Sequence, residues 1–343
     1  MTNDLIRARK GDHIRINLEE DVLSHLKNGF EQFRFIHEAL PELDFNNIDS
    51  TQELFGKKIN LPFLVSSMTG GTEQAAEINK ALAMVSQKYG MVMGVGSQRA
   101  AIQNPELSET FQIRKFAPDI LLFANLGAVQ LNYGFGLEEC KQAVDMISAD
   151  GLILHLNPLQ EAVQPEGDVN FLGLLKKLEY IVGGLQIPVI VKEVGWGISA
   201  KTAHLLQEAG VAAIDVAGAG GTSWSQVERF RLKDPISIRV AEEFVDWGIP
   251  TAEALVQISS AMPDYTVFAS GGLKTPMDVA KSIAMGAKLA GMASVFLKAA
   301  VVSMDSLVDM VEIYARVLRI AMFSTGSKNL VEFRNQHIQR IGE

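Results

Sequence analysis

The sequence predicts an α/β fold in which eight parallel strands, each followed by a helix, close into a barrel, and three observations predict it. Short apolar runs recur at near-regular spacing between Ile59 and Ser294, with amphipathic stretches between them. Eight such units are the count of a (β/α)8 barrel of the TIM type, where an open doubly wound sheet would supply fewer. The runs are continuous rather than alternating, as in strands covered on both faces. No dinucleotide fingerprint opens the sheet: Gly94-Val-Gly96-Ser-Gln-Arg99 puts Arg where a third glycine belongs, and Gly134-Phe-Gly136 fails in the same way.

Residues 1–58 are polar and lack strand alternation, and they are expected to form an arm with one helix from Ser24 to Leu40, closed by Pro41. The barrel occupies 59–298. Its strands are expected at Leu61–Met68, Met91–Ser97, Ile120–Gly127, the stretch from Gly151, Pro188–Gly195, Ala212–Gly218, Thr266–Gly272 and Leu289–Ser294. Helices follow each strand, among them one up to Tyr89, one ending near Phe116, one over Leu137–Ser148 and one around Phe171–Val182. About fifty residues separate the sixth and seventh strands. Residues 299–343 form a helical extension: Leu307, Met310, Val311, Tyr314, Leu318 and Met322 share helical spacing, Gly326 stops the helix, and Ser327 is a cap candidate for a second. That extension packs on the barrel wall or on another subunit.

A chain 48% hydrophobic and 21% charged has the composition of a soluble globular protein. Its net charge of −9 argues against general nucleic-acid binding, so an anionic ligand must find a local cluster of cations and amides. A single cysteine, Cys140, excludes an internal disulfide and a thiolate zinc cluster. The first residues lack the apolar core of a signal peptide, and no apolar run approaches a membrane span. A cytoplasmic protein without membrane contact is expected.

Chemistry collects at the carboxyl ends of the strands, where barrels of this kind build their sites. In Gly151-Leu-Ile-Leu-His155-Leu-Asn157-Pro-Leu-Gln160-Glu161, His155 and Asn157 are two residues apart and share a face, with an amide and a carboxylate just beyond. The alternative is a core histidine followed by a polar loop. Ser67-Met68-Thr69-Gly70, Ser97-Gln98-Arg99, Asn125, Lys192, Thr222, Gly271-Gly272 and Ala293-Ser294 fall on the same rim. The loops after strands seven and eight are the usual phosphate site, with Gly271-Gly272 allowing close backbone approach and Thr275-Pro276 opening a helix capped back by Asp278. A phosphate-bearing ligand follows. Lys192, inside an apolar strand, needs a negative partner: an anionic reduced flavin is one, a salt bridge across the barrel another. Glu193 points the other way, towards a helix. Arg7, Arg9, Lys10, His13 and Arg15 are either a solvated face or the counter-charge for an anion.

Five motifs together resemble type 2 isopentenyl-diphosphate isomerases over most of the chain. They are Arg9-Lys10-Gly-Asp12-His13, Ser66-Ser-Met-Thr-Gly-Gly71, Gly94-Val-Gly-Ser-Gln-Arg99, His155-Leu-Asn157-Pro-Leu-Gln160-Glu161 and Gly218-Ala-Gly-Gly-Thr222. The resemblance implies a barrel that interconverts isopentenyl and dimethylallyl diphosphate with reduced FMN and Mg²⁺, NADPH reducing the flavin, and no net redox change. It implies FMN contacts at Met68, Thr69, Ser97, Asn125, Lys192, Thr222, Gly272, Ala293 and Ser294, with Ser67, Gly70 and Gly271 beside them. Substrate contacts are implied at Arg9, Lys10, Arg99, His155, Asn157 and Gln160, with His13, Ser97 and Gln98 from the same motifs, and a metal ligand at Glu161. Gln160 either orients substrate or relays a proton, and His155 is the second catalytic candidate. The expected assembly is a homotetramer or homo-octamer.

The chemistry sets matching demands. Moving a double bond by one carbon adds a proton at one end and removes one at the other, through a species resembling a tertiary cation, so water must be kept out. Two rivals share the barrel. A flavin oxidoreductase of the hydroxy-acid oxidase or IMP dehydrogenase type would need a base histidine late in the barrel or a nucleophilic cysteine, and neither is present. A non-catalytic flavin barrel would not need His155, Gln160 and Glu161 together. The arm, poor in apolar residues, is expected to be mobile until a diphosphate supplies counter-charge.

Overall fold

The structure is a computed structural model that describes residues 3–68, 70–334 and 337–342, with the backbone alone for residues 3–10. Eight strands are found where eight were expected: β1 (Phe63–Val65), β2 (Val92–Gly94), β3 (Leu122–Gly127), β4 (Gly151–Leu156), β5 (Val189–Glu193), β6 (Ala213–Asp215), β7 (Val267–Ala269) and β8 (Leu289–Met292). They close into one barrel in chain order, β8 pairing β1, with every pair parallel.

The unbroken apolar runs have a simple cause. One residue of each strand (Leu64, Val92, Phe123, Ile153, Ile190, Ala213, Phe268, Leu289) fills the barrel interior. Neighbours such as Phe63, Val65, Leu152, Leu154, Val189 and Val191 pack outward under the helices. Two residues along each strand, on the same inward face, the apolar layer gives way to Ser66, Gly94, Asn125, His155, Lys192, Asp215, Ser270 and Gly291. The strand period thus turns an apolar plug into a polar layer within one step of the chain.

Below the plug, Gln52–Leu54 and Lys57–Ile59 form an antiparallel hairpin. Phe55 and Gly56 both have positive φ (50° and 74°), the conformation a two-residue hairpin turn requires. Leu54 and Ile59 join the interior layer, and the Phe55 ring meets Phe123 edge-on at 6.4 Å.

Two expectations for the flanking segments are corrected. The arm's helix is Asn3–Glu19, not Ser24–Leu40. Residues 24–40 spend their backbone groups on the barrel instead: Ser24 N–H donates to Gly221 O, Asn28 O accepts from Ala252 N–H, and Phe33–Phe35 pairs antiparallel with Ile338–Arg340. Gly29, at φ 87°, and this tertiary pairing replace an internal helical ladder. The C-terminal helix Met304–Ser324 buries Leu307, Val311, Tyr314, Leu318 and Met322 as expected and lies on helices Pro276–Ala284 and Ser294–Val302 of the barrel wall. The short helix after it is Leu330–Phe333, capped by Asn329 rather than Ser327, whose buried hydroxyl is shared with Thr325. Among the described residues no helix is long and apolar enough to cross a membrane.

Candidate active site

Above the polar layer lies a cavity of about 280 Å³. One wall is a cradle of backbone. Gly271 and Gly272 have φ of 98° and 72°, and a Cβ on them would stand 2.1 Å from Gly218 O and 2.4 Å from the Gly220 carbonyl carbon. The loops after β6 and β7 therefore touch main chain to main chain, which only glycine permits. Thr222, Gly221, Ala293 and Ser294 continue this wall, and the helix Ser294–Val302 starts on it. The capping box of Thr275 with Asp278 forms as expected, but Lys274 and Thr275 N–H groups are spent on Asp278. The helix start that faces the cavity is Ser294.

The floor is the polar layer. Asn125 Oδ1 accepts from His155 Nδ1 at 2.8 Å; an amide oxygen only accepts, so Nδ1 carries the imidazole proton. Burial first, and then the nearby Lys192 charge, push His155 down to about 4, leaving a neutral ring near neutral pH. Lys192 Nζ donates to Glu193 O at 2.6 Å and stands 3.8 Å from Asp215 Oδ2, so a salt-bridge partner on the neighbouring strand is present. Glu193 is bonded to its own loop. Its Oε2 accepts from the N–H groups of Val194, Gly195, Trp196 and Gly197, tying down its own loop, and burial pushes it up to about 7 against those amides.

The opposite wall is a continuous hydrogen-bonded chain built on the short helix Pro158–Val163, where Pro158 is the first residue. Asn157 Nδ2 donates to Gln160 Oε1 at 3.2 Å and to Glu161 Oε1 at 2.8 Å. Glu161 Oε2 accepts from Gln164 Nε2 and from Asp168 N–H. Asp168 Oδ2 in turn pairs with Arg99 at 2.7 Å and Gln130 at 3.0 Å. At the other end Gln160 Nε2 donates to Glu228 Oε1 at 2.9 Å. Glu228 has no solvent exposure; burial alone would raise it, but His13 (3.2 Å), Arg231 and Gln160 together hold it at about 2.

Nearly every residue expected here lines the cavity: His13, Ser67, Met68, Gly70, Ser97, Arg99, Asn125, His155, Asn157, Gln160, Glu161, Lys192, Thr222, Gly271, Gly272, Ala293 and Ser294. Gln98 does not. It is fully buried behind the wall, donating to Ala143 O and accepting from Asn125 N–H, and it braces β3. Thr69 and the side chains of Arg9 and Lys10 lie outside the described residues, but the helix carrying Arg9 and Lys10 brings His13, Ile14 and Asn17 to the cavity. Sequence reasoning missed Trp224, Gln164, Glu228, Arg231 and Asp168. The available signal was Trp224-Ser-Gln-Val-Glu228-Arg-Phe-Arg231 directly after the glycine loop, a helical spacing of an aromatic, an acid and a base. Cys140 is buried, and burial pushes its thiol up to about 12, so it stays out of the chemistry.

Three buried polar atoms lining the cavity have no partner: Ser66 Oγ, Ser67 Oγ and Asn157 Oδ1. Each such atom costs about 1–3 kcal/mol unless a bound molecule meets it. Glycine cradle, helix start, unpartnered hydroxyls and a cationic floor are the parts of a barrel that holds a phosphorylated flavin. Residues 167–340 match the FMN-dependent dehydrogenase family. The barrel is similar to that of a mandelate oxidase solved with (S)-2-phenylpropionate, at TM-score 0.69 and 18% identity over 99% of this chain and 98% of the other. A mandelate oxidase variant carrying a monooxide FMN adduct gives TM-score 0.67, 18% identity and coverage of 98% and 99%. At that identity the likeness is one of fold.

Within that class the chain belongs to the isopentenyl-diphosphate delta-isomerase family. It is 52% identical to the isopentenyl-diphosphate delta-isomerase of Nostoc sp. over 98% of this chain and 96% of the relative. The enzymes of that name from Synechocystis sp. (54%, covering 94% and 93%) and Rickettsia rickettsii (49%, covering 96% and 97%) are similar over comparable spans.

Proposed function

We propose that this protein interconverts isopentenyl diphosphate and dimethylallyl diphosphate, with FMN on the glycine wall, Mg²⁺ at Glu161 and NADPH as the external reductant. The observation that carries this is the meeting, in one cavity, of a phosphate cradle with the chain from Arg99 through Glu161 and Gln160 to Glu228. Lys192, Asn125, Ser67 and Thr222 would hold the flavin, and Gly271, Gly272 and Ser294 would face its phosphate. Reduced FMN, when bound, supplies an electron-rich surface and a site that exchanges protons.

The protein's own groups do the rest. Glu161 accepts three hydrogen bonds, one on Oε1 and two on Oε2, and a carboxylate has room for about four, so one lone pair remains for a cation. No cluster of three or more His, Cys, Asp or Glu exists among the described residues, which suits Mg²⁺, since that ion often takes one protein carboxylate and completes its shell with phosphate oxygens and water. Arg99, Arg9 and Lys10 would neutralise the diphosphate. Gln160, bonded to a Glu228 that stays ionised, can pass a proton at its amide oxygen or position the alkene. Trp224, Ile14 and Leu297 line the cavity with apolar surface and keep water from a cation-like intermediate.

The test is an anaerobic assay of purified protein with FMN, Mg²⁺ and catalytic NADPH. Dimethylallyl diphosphate should accumulate without stoichiometric NADPH loss; one NADPH oxidised per product would move the protein to the oxidoreductases. Arg9→Ala should raise KM for isopentenyl diphosphate by about one to two decades, as loss of a charge-assisted contact worth roughly 1.5–3 kcal/mol does, while FMN affinity stays unchanged. Survival of both would make the arm's cations a solvated face. A homotetramer or homo-octamer is part of the same proposal and is checked by sedimentation.

A further inference from the structure

Asp215 is the polar-layer residue whose burial the proposed chemistry does not use. It has no solvent exposure and does not line the cavity. Its Oδ1 accepts from Ser270 Oγ at 2.7 Å and from Ala217 N–H at 3.3 Å, whereas Oδ2 has no hydrogen-bond partner. The nearest cation, Lys192 Nζ, stands 3.8 Å from Oδ2, an ion-pair distance too long for a hydrogen bond. Lys192 gives one N–H to Glu193 O at 2.6 Å, and an ammonium has three to give. It lines the cavity, opposite Asp215 in register on the neighbouring strand and beside His155 on the other.

A layer built for stability alone would be apolar, like the one two residues below it, because a buried pair seldom outperforms well-packed hydrophobic side chains. A carboxylate placed behind a lysine, near enough to attract and too far to saturate it, does something an apolar residue cannot. It offsets part of the lysine's charge from behind while leaving its donors free for another anion. His155, neutral at physiological pH, adds no charge to the layer.

We propose that Asp215 is a positioning residue behind Lys192 that sets how much of the lysine's positive charge an anionic group bound at the cavity wall experiences. The proposal rests on FMN being that group. Reduced flavin carries more negative charge than oxidised flavin, so a carboxylate behind the lysine makes the reduced form bind less tightly than Lys192 alone would allow. Asp215 would thus set the reducing power of the bound flavin.

The experiment is a spectroscopic redox titration of FMN-loaded protein, with the dissociation constant of oxidised FMN measured alongside. Asp215→Asn should favour reduced over oxidised FMN by about tenfold relative to wild type, a rise of about 30 mV for a two-electron couple. Lys192→Met should move the potential the other way. In the Lys192→Met background, adding Asp215→Asn should leave the potential unchanged, because Asp215 acts through the lysine. If Asp215→Asn alone does not fold, Lys192→Met compared with Lys192→Met/Asp215→Asn still decides the matter, since the double variant removes both members of the pair. An unchanged potential in Asp215→Asn, or a shift of equal size with and without Lys192, overturns the proposal. A residue that served stability alone would lower Tm and leave the potential where it was. Wild-type protein that takes up no FMN would instead sink the functional reading, before any variant is compared.

Discussion

The two ends of this barrel are made from the same strands, two residues apart, and they behave as opposites. At the lower end every inward side chain is apolar, and a hairpin seals the opening with Leu54, Phe55 and Ile59. A charged cluster there, Asp150 with Lys57 and Arg114 at 2.7 Å each, is fully paired. At the upper end the inward residues are polar, three buried cavity-lining atoms lack partners, and glycines hold loops at main-chain contact. The lower end spends its residues on stability. The upper end accepts destabilising features that a bound ligand can offset, which is the usual relation between a scaffold and its site.

Substitutions at the two ends should therefore separate activity from stability. The largest expected effect is at the top: Glu228→Gln should lower kcat by roughly 10²–10⁴-fold, the span of general acid–base assistance, as measured by product formation at a temperature where thermal melting shows the variant folded. Activity within a few-fold of wild type would remove Glu228 from the proton path. Asp168→Asn comes next. It loosens Arg99 while keeping the backbone N–H on Glu161, and neighbours of a metal ligand typically change metal affinity by about 10–100-fold; a Mg²⁺ titration of the isomerisation rate checks it.

The lower end should give the reverse pattern. Phe55→Ala removes a half-buried ring from the seal and should cost about 2 kcal/mol in denaturant unfolding, with kcat and KM unchanged. A loss of activity at permissive temperature would show that the two ends are coupled. The smallest effect belongs to Lys57→Met, about 1 kcal/mol or less because the pair is partly exposed, and its size depends on pH. Burial raises Asp150, but Lys57, the Leu122 amide and Arg114 together bring it below the ordinary carboxylate value. A depressed folded pKa stabilises the fold above the unfolded value and loses that contribution as pH falls through the folded one. The gap between Lys57→Met and wild type should thus be open at pH 7 and close in acid, below the usual carboxylate range.

The same contrast explains what could be read from the chain. Barrel strands were legible because each is apolar on both faces, a signal that survives without any knowledge of neighbours. His155, Lys192 and Asn125 were legible because they interrupt such runs. The hairpin was not: Phe55 takes a positive φ that sequence rarely advertises, and its pairing matters only once a barrel end exists to be sealed. The helix expected at Ser24–Leu40 failed because Asn28 and Phe33 find partners more than two hundred residues away. Gln98 was placed with Ser97 and Arg99 by proximity and is turned to the wall, since one residue separates a side chain facing the cavity from one facing the wall. Glu228 and Asp168 stayed hidden in segments whose pattern matches an ordinary surface helix or loop, and only folding brings them to Gln160 and Glu161.

The main-chain contact between the loops after β6 and β7 has a consequence for how this site can change over generations. Two loops that touch through side chains can drift, one residue yielding volume as the other gains it. Loops that touch through backbone have no such slack, and a methyl group at Gly271 or Gly272 must displace an entire neighbouring peptide. The two loops are thus inherited as one part, and a library randomised across both should return glycine at these positions in every active clone. New specificity would have to come from the rest of the lining, where Ile14, Trp224 and Leu297 can vary one at a time.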